Sequence, residues 1–305
     1  MSADWIAVDW GTSNLRAWAI GRDGGILHEA SSPQGMAKLK REDFEAALLA
    51  LIGGWLPAGR KTLVVACGMV GARQGWIEVP YNEAPCPPAS AQSARSPQTN
   101  DPRLDVRIIA GVMQREPADV MRGEETQIAG LLQQSPGFDG VICLPGTHTK
   151  WVRVNGGKIA EFKSCMTGEV FGLLAEQSVL RFSVKLDGLG DGWDDKEYDS
   201  AVRGALAQPE GFAGALFSIR ASSLVTGLSQ AAANGRLSGL VIGTELAATR
   251  SYWSNGVSMI DNGRQAALYA AALKIAGATA KLLPAQDVTL AGLRAAHANF
   301  VKEAT

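Results

Sequence analysis

Two stretches far apart in the chain share one plan. Ile6-Ala7-Val8-Asp9-Trp10-Gly11-Thr12 and Val141-Ile142-Cys143-Leu144-Pro145-Gly146-Thr147 align without a gap, glycine on glycine and threonine on threonine. Each begins with an apolar run of strand character, and each leads into another, Leu15 to Ile20 after the first and Lys150 to Val154 after the second. A strand, a Gly-Thr turn and a second strand, opening each half of the chain, read as an internal duplication. At about 150 residues per domain, 305 residues suffice for two such halves, each with its own core.

The turn Ser135-Pro136-Gly137 is the predicted boundary, giving domains 1–136 and 137–305. In the first half, Arg22-Asp23-Gly24-Gly25 leads into Ile26 and Leu27, the start of an antiparallel meander. Phe44, Leu48 and Leu51 have helical spacing within Glu42 to Leu51. Leu63 to Ala66 and Val106 to Val112 are predicted strands, and Asn82 to Leu104 a long surface excursion with room for a short strand. Glu124 to Leu132 is a predicted helix with Ile128, Leu131 and Leu132 on one face. The second half is mostly helical, over Glu169 to Leu180, Ser222 to Asn234 and Leu237 to Trp253. A strand from Val257 to Ile260 runs into Asp261-Asn262-Gly263, an Ala-rich helix follows to about Gly277, and a last strand is expected near Val288 to Ala291.

Composition narrows the function classes. There are 29 basic and 30 acidic residues, a net charge of −1, so binding to nucleic acid or to a membrane surface by bulk electrostatics is not expected. No apolar run approaches the ~18 residues that cross a bilayer. The N-terminus has no basic region ahead of its apolar stretch, and Cys67, Cys86, Cys143 and Cys165 have no metal or scaffold spacing. A reduced, cytoplasmic setting is the natural reading. Glycine accounts for 35 residues, above the usual ~7%, which points to tight turns or close backbone approach to a ligand.

Four constellations can carry chemistry. Asp9 at a strand end can hold a hydrated Mg²⁺, while the N–H groups of Gly11 and Thr12 and the hydroxyls of Thr12 and Ser13 suit phosphate oxygens. An Asp capping its own turn is the alternative. The second turn, Gly146-Thr147-His148-Thr149-Lys150, weighs toward phosphate, since two such turns can grip a polyphosphate across a cleft. His148 there is either a donor or a packing residue. Arg122-Gly123-Glu124-Glu125 opens a helix, where acids favour the helix dipole or where one serves as a general base. Gly68 to Trp76 is a glycine-rich loop. Trp76 and Tyr81 either stack on a sugar-like substrate or pack into the protein. The run Asp191 to Asp199 lacks the EF-hand register and reads as a solvated loop and helix start.

These segments resemble the actin, hexokinase and Hsp70 superfamily and, within it, the 2-dehydro-3-deoxygalactonokinase family. The resemblance rests on IAVDWGTSNLRAW, GMVGARQGWIEVPY, VMRGEETQIAG, LPGTHTKW, MTGE and the GTELA helix, which occur in family order over nearly the whole chain. It implies an α/β fold of two RNase H-like domains with an interdomain cleft. It also implies ATP- and Mg²⁺-dependent phosphorylation of the 6-hydroxyl of 2-dehydro-3-deoxy-D-galactonate. The implied roles follow by motif. Asp9 would hold Mg²⁺ through water. Gly11, Thr12, Ser13 and the turn Gly146, Thr147, His148 and Thr149 would face the phosphates, with Gly243, Thr244 and Gly263 near the adenosine. Glu125 is the expected base, with Glu124 second. Met69, Gly71, Gln74, Trp76 and Tyr81 would form the sugar-acid loop. Arg16 is the first choice to meet the substrate carboxylate and Lys150 the second. Leu144 stands where the first turn has Asp9, so of the two turns only the first brings an acid. Two rivals remain: a phosphohydrolase of the same superfamily, and a non-enzymatic nucleotide-gated binding protein. The Ala-rich helix is a candidate homodimer surface.

Overall fold

The computed structural model describes residues 3–90, 92–185, 193–261 and 263–303. β1 (Trp5–Trp10) buries Trp5, Ile6, Ala7, Val8 and Trp10, as a central strand covered on both faces must. It runs past the apolar stretch, so Asp9 lies in the strand end and not in the turn. β2 (Leu15–Ile20) pairs antiparallel with β1, and β3 (Ile26–Ser32) antiparallel with β2. α1 (Phe44–Ile52) then buries Phe44, Ala47, Leu48 and Ile52. β4 (Thr62–Gly68) returns parallel to β1. After β5 (Asn82–Glu83), β6 (Leu104–Ile108) lies parallel beside β4.

The single strand expected from Val106 to Val112 is in fact two. β6 stops at Ile108, and β7 (Val112–Arg115) joins β5 and β8 (Ala118–Met121) in a separate sheet. Gly111 marks the break. A Cβ there would lie 2.5 Å from the Met121 carbonyl oxygen and 2.8 Å from the Tyr81 ring, so only glycine lets the chain pass. α2 (Glu124–Gln134) follows.

The second sheet repeats the first. β9 (Gly140–Leu144), β10 (Thr149–Asn155) and β11 (Lys158–Cys165) are its first three strands. Four helices come next: α3 (Thr167–Gln177), α4 (Asp195–Ala207), α5 (Phe212–Val225) and α6 (Gln230–Ala248). After α7 (Arg250–Trp253), β12 (Val257–Ile260) lies parallel to β9. α8 (Arg264–Ile275) leads to β13 (Ala280–Leu283), parallel to β12, and α9 (Ala285–Glu303) follows. The strand orders are β3-β2-β1-β4-β6 and β11-β10-β9-β12-β13, which is one order used twice. The duplication seen in the two turns therefore extends to two whole RNase H-like sheets.

Two further expectations are corrected. Ser222 to Asn234 is not one helix. Gly227 (φ +70°) separates α5 from α6, and the Ser229 hydroxyl accepts the Ala232 N–H to cap the new start. Val288 to Ala291 is helical, inside α9. Val288, Leu293 and Ala296 are buried there, a helical spacing in which the β-branched residues yield to packing. Of the acidic run, Asp194 caps α4 by accepting the N–H groups of Lys196 and Glu197. Asp191 and Asn262 lie outside the described residues.

Contacts divide the chain into two units. One comprises Met1–Asp139, Val154–Glu161 and Ala285–Thr305, and the other Gly140–Arg153 and Phe162–Pro284. The break after Asp139 is close to the expected turn, but α9 belongs with the first unit and not with 137–305. The reason is a close helix crossing. A Cβ on Gly130 of α2 would lie 1.8 Å from the Val288 carbonyl oxygen, and one on Gly292 of α9 would lie 1.9 Å from that of Thr126. Among the described residues no helix is long and apolar enough to cross a membrane.

Candidate active site

Both Gly-Thr turns are held from behind by a glycine that follows the third strand of the sheet. In the first, the Gly11 N–H donates to the Asn14 carbonyl at 2.9 Å, and the carbonyls of Ser13, Gly11 and Thr12 accept from Gly35, Met36 and Ala37. A Cβ on Gly35 would lie 2.2 Å from the Ser13 carbonyl carbon. In the second, a Cβ on Gly168 would lie 2.4 Å from the Gly146 carbonyl oxygen, and the Glu169 N–H donates to the Thr147 carbonyl at 3.0 Å. Neither Gly35 nor Gly168 was singled out from the sequence, although Gly168 lies in the MTGE motif.

This backing decides which groups the turns offer. Thr12, Ser13, Thr147 and His148 are exposed. The Gly11 N–H is used within its own turn, contrary to the expectation that it faces phosphate. The His148 Nε2 pairs with the Glu169 carboxylate. Thr149 is wholly buried, and its hydroxyl meets that of Tyr269 at 2.8 Å, so it is not an exposed donor. Lys150 is buried as well.

The acids of the first unit converge where three chain segments meet. Gly123 (φ +110°) starts α2, and a Cβ on it would lie 3.3 Å from the Cα of Gly68. A Cβ on Gly68 (φ +90°) would lie 2.7 Å from the Trp10 carbonyl oxygen and 3.6 Å from Asp9 Oδ1. Positive φ and these close approaches make both positions glycine sites. Glu125 is completely buried; its Oε2 accepts the Gly123 N–H at 2.7 Å and its Oε1 the Thr126 hydroxyl at 3.1 Å. Burial, and then the charge of Glu124, push its pKa from 4.5 to about 8, against the Gly123 N–H and the Arg122 charge. Glu124 is half-buried and accepts the Arg122 N–H at 3.0 Å. Cys67 Sγ lies 3.9 Å from Asp9 Oδ1. Burial, then Asp9 and Glu125, raise that thiol well above its usual range, which suits an inert core residue.

Arg16 does not stand free for a substrate carboxylate. Its Nη2 donates to Asp9 Oδ2 at 2.6 Å. Among the described residues no group of three or more His, Cys, Asp or Glu could hold a metal. Asp9 alone still fits Mg²⁺, which commonly takes one or two carboxylates and completes its octahedron with waters and phosphate oxygens.

In the glycine-rich loop the aromatics pack inward. Trp76 is buried, stacked on Phe44 with ring centroids 6.2 Å apart and set edge-on to Trp10. It does not offer a face to a sugar. The guanidinium of Arg122 lies 4.2 Å from the centre of the Tyr81 ring. Gly71 is buried, and a Cβ on it would meet Ile108 Cγ2 at 2.9 Å and Arg122 Nη1 at 3.0 Å. Met69 is half-buried and Gln74 exposed. Arg122, which the sequence reading placed only within the helix-opening motif, holds this loop. It is buried, its Nη2 donates to the Val79 carbonyl at 2.7 Å, and its Nε and Nη1 have no hydrogen-bond partner among the described residues.

The second unit contains a cavity of about 330 Å³ that opens beside Gly146. Its wall is mostly apolar, from Phe171, Val241, Ile242 and Leu268 among others, with Thr167, Ser238, Arg264, Gln265 and Tyr269 adding polar groups. Gly243 is on another face of α6. A Cβ there would lie 2.8 Å from Ala205 Cβ, so this glycine serves the α4–α6 crossing. Thr244 lines a separate cavity of about 220 Å³. The Gly263 N–H donates to Asp261 Oδ1 at 3.0 Å, and the two residues after it, Arg264 and Gln265, reach the large cavity. Gly243 and Thr244 thus lie off the large cavity, whereas Gly263 directly precedes two of the residues that line it.

Known proteins resemble this chain over nearly its whole length. The family model described as 2-keto-3-deoxy-galactonokinase matches residues 9–296. A Rhizobium meliloti (strain 1021) protein described as probable 2-dehydro-3-deoxygalactonokinase DgoK1 is 36% identical over 297 residues, covering 96% of each chain. The 2-dehydro-3-deoxygalactonokinase of Escherichia coli (strain K12) is 32% identical, covering 98% of this chain and 99% of that one. A crystal structure described as that of a putative 2-dehydro-3-deoxygalactonokinase protein from Sinorhizobium meliloti superposes with a TM-score of 0.89 at 35% identity, over 97% of this chain and 99% of that one. The two repeated sheets, the two backed turns and these full-length matches place the chain in the 2-keto-3-deoxy-galactonokinase family.

Proposed function

We propose that this chain transfers the γ-phosphoryl group of ATP to the 6-hydroxyl of 2-dehydro-3-deoxy-D-galactonate, with Glu125 accepting the hydroxyl proton. Sugar-acid kinase activity accords with the family and with the names of the full-length relatives. The observation that carries the choice of base is the buried Glu125 carboxylate, whose pKa of about 8 lies near working pH. A base tuned that way is a far better proton acceptor than an ordinary carboxylate. Glu124 is the weaker choice because it is only half-buried and so less removed from water than Glu125.

Phosphoryl transfer asks mainly for positioning and charge neutralisation. The exposed hydroxyls of Thr12, Ser13 and Thr147 are the donors we assign to phosphate oxygens. Asp9 would hold hydrated Mg²⁺, which when bound neutralises phosphate charge. Arg16 is then the counter-charge of Asp9 and not a ligand of the substrate carboxylate. The adenosine goes to the cavity beside Gly146. Its volume of about 330 Å³ and its apolar wall with few polar groups suit a nucleoside. All four cysteines are free thiols, which fits the reducing cytoplasm.

The test is coupled ADP release from Mg²⁺-ATP, with and without the galactonate-derived acid and its gluconate epimer. Strong stimulation by the galactonate acid is expected. Release indifferent to both acids would favour a phosphohydrolase, and no release a nucleotide-gated binding protein.

A further inference from the structure

One buried carboxylate joins four elements around the cavity of the second unit. Glu245, on α6, is 5% exposed. Its Oε1 accepts the Trp151 indole N–H at 2.6 Å, and its Oε2 accepts the Tyr269 hydroxyl at 2.6 Å and the Thr167 hydroxyl as well. The Tyr269 hydroxyl in turn meets that of Thr149. α6 is thus tied to β10, α3 and α8 through a single side chain.

Each tie ends where the nucleotide side of the site is built. Thr149 begins the strand after the Gly146 turn. Thr167 precedes Gly168, the residue that backs that turn, and both Thr167 and Tyr269 line the cavity. A carboxylate removed from water is costly unless donors fill its lone pairs, and here three do. Well-packed apolar residues would serve the core's stability as well or better, so stability alone does not account for an acid at this place.

We propose that Glu245 is a positioning residue for the nucleotide: acting through Thr167 and Tyr269, it holds the Gly146 turn and the cavity wall in register. This rests on the reading of that cavity as the adenosine site. The test uses calorimetric binding of ADP and of a nonhydrolysable ATP analogue to the full chain with Mg²⁺, together with KM for each substrate.

Glu245→Gln keeps an acceptor for Trp151, and its amide can donate to the two hydroxyls, which reverse. It should bind within about threefold of the parent, whereas Glu245→Met should bind at least about tenfold more weakly. Tyr269→Phe and Thr167→Val leave the acid in place and guard against a misfolded Glu245→Met. They should weaken nucleotide about 5–10-fold, raise KM for ATP in parallel, and leave KM for the sugar acid within about twofold. Combined with Glu245→Met they should be non-additive. Parent-like binding by folded Tyr269→Phe and Thr167→Val would overturn the proposal, as would Glu245→Gln as weak as Glu245→Met, or equal rises in both KM values. Failure of the parent chain to bind nucleotide would instead overturn the reading of the cavity, and this proposal with it.

Discussion

Asp9 and Arg16 are directly opposed across β1 and β2, and their side chains meet at 2.6 Å. The pair places a cation on the one acid that either Gly-Thr turn brings. Arg16 therefore competes with any cation that approaches Asp9, and it also keeps the carboxylate in one orientation. With the Arg16 side chain 42% exposed, the pair is worth no more than ~1 kcal/mol. Arg16→Gln should lower the Mg²⁺ concentration for half-maximal rate by about 2–5-fold, the same energy read as an equilibrium factor. KM for the sugar acid should change little, because Arg16 is assigned to Asp9. A large rise in that KM would return Arg16 to the substrate carboxylate.

Glu125→Gln removes the proposed proton acceptor while keeping the shape and the Gly123 contact. Turnover should fall by roughly 10²–10⁴-fold, with nucleotide binding intact because the cavity lies in the other unit. Turnover of the parent should rise with pH and level off above about 8, where Glu125 has lost its proton. Glu124→Gln should keep turnover but move that profile to lower pH, because the Glu124 charge helps to raise Glu125. Near-parent turnover of Glu125→Gln, together with loss in Glu124→Gln, would move the role by one residue.

Two buried acids also set how stability responds to pH. Burial raises Glu125 from 4.5 to about 8 and Glu245 from 4.5 to about 7. Between 4.5 and those values the folded chain holds protons that the unfolded chain has released, so stability falls as pH rises through that window. The slope is at most about 1.4 kcal/mol per pH unit for each group. Thermal melts should show the parent losing stability from pH 5 to pH 8. Glu125→Gln, which carries no charge to bury, should show a shallower decline and a higher Tm at pH 8. Parallel profiles for the two proteins would mean that Glu125 ionises as freely in the fold as outside it.

Much of this was legible in the sequence because it depends on local pattern. The paired Gly-Thr turns exposed the duplication, and the helix start at Glu124 followed from acids ahead of an apolar face. What stayed hidden depends on tertiary contact. β11 has no turn residue inside it and no strong apolar alternation, so only its place beside β10 makes it a strand. Trp76 could be a sugar platform or a core residue by sequence alone. Its packing on Phe44 decides for the core. Gly243 and Ile242 are neighbours on one helix, and periodicity gives two faces without saying which meets α4 and which the cavity. Of the glycines that back the turns, Gly35 stands out only by its type and Gly168 only by its place in MTGE, since their constraint is the backbone of a segment more than twenty residues away.

The C-terminal helix offers a sharp test of how the base is held. Gly292 of α9 would place a Cβ 1.9 Å from the Thr126 carbonyl oxygen, and Thr126 is next to Glu125. The obstruction is backbone, which cannot rotate away as a side chain can. Neither Gly292 nor Gly130 has a positive φ, so the penalty for a side chain is steric and not conformational. In an unobstructed helix, glycine to alanine stabilises by roughly 0.5–1 kcal/mol. Gly292→Ala should do the reverse and lose about 2–3 kcal/mol, the upper part of the range for overpacking. Because the displaced segment is the first turn of α2, kcat should fall while KM for ATP stays near the parent value. Denaturant unfolding and steady-state kinetics on the same protein check both parts. A stabilised Gly292→Ala would show that α9 does not press on α2 at this point, and the position of Glu125 would then need another support.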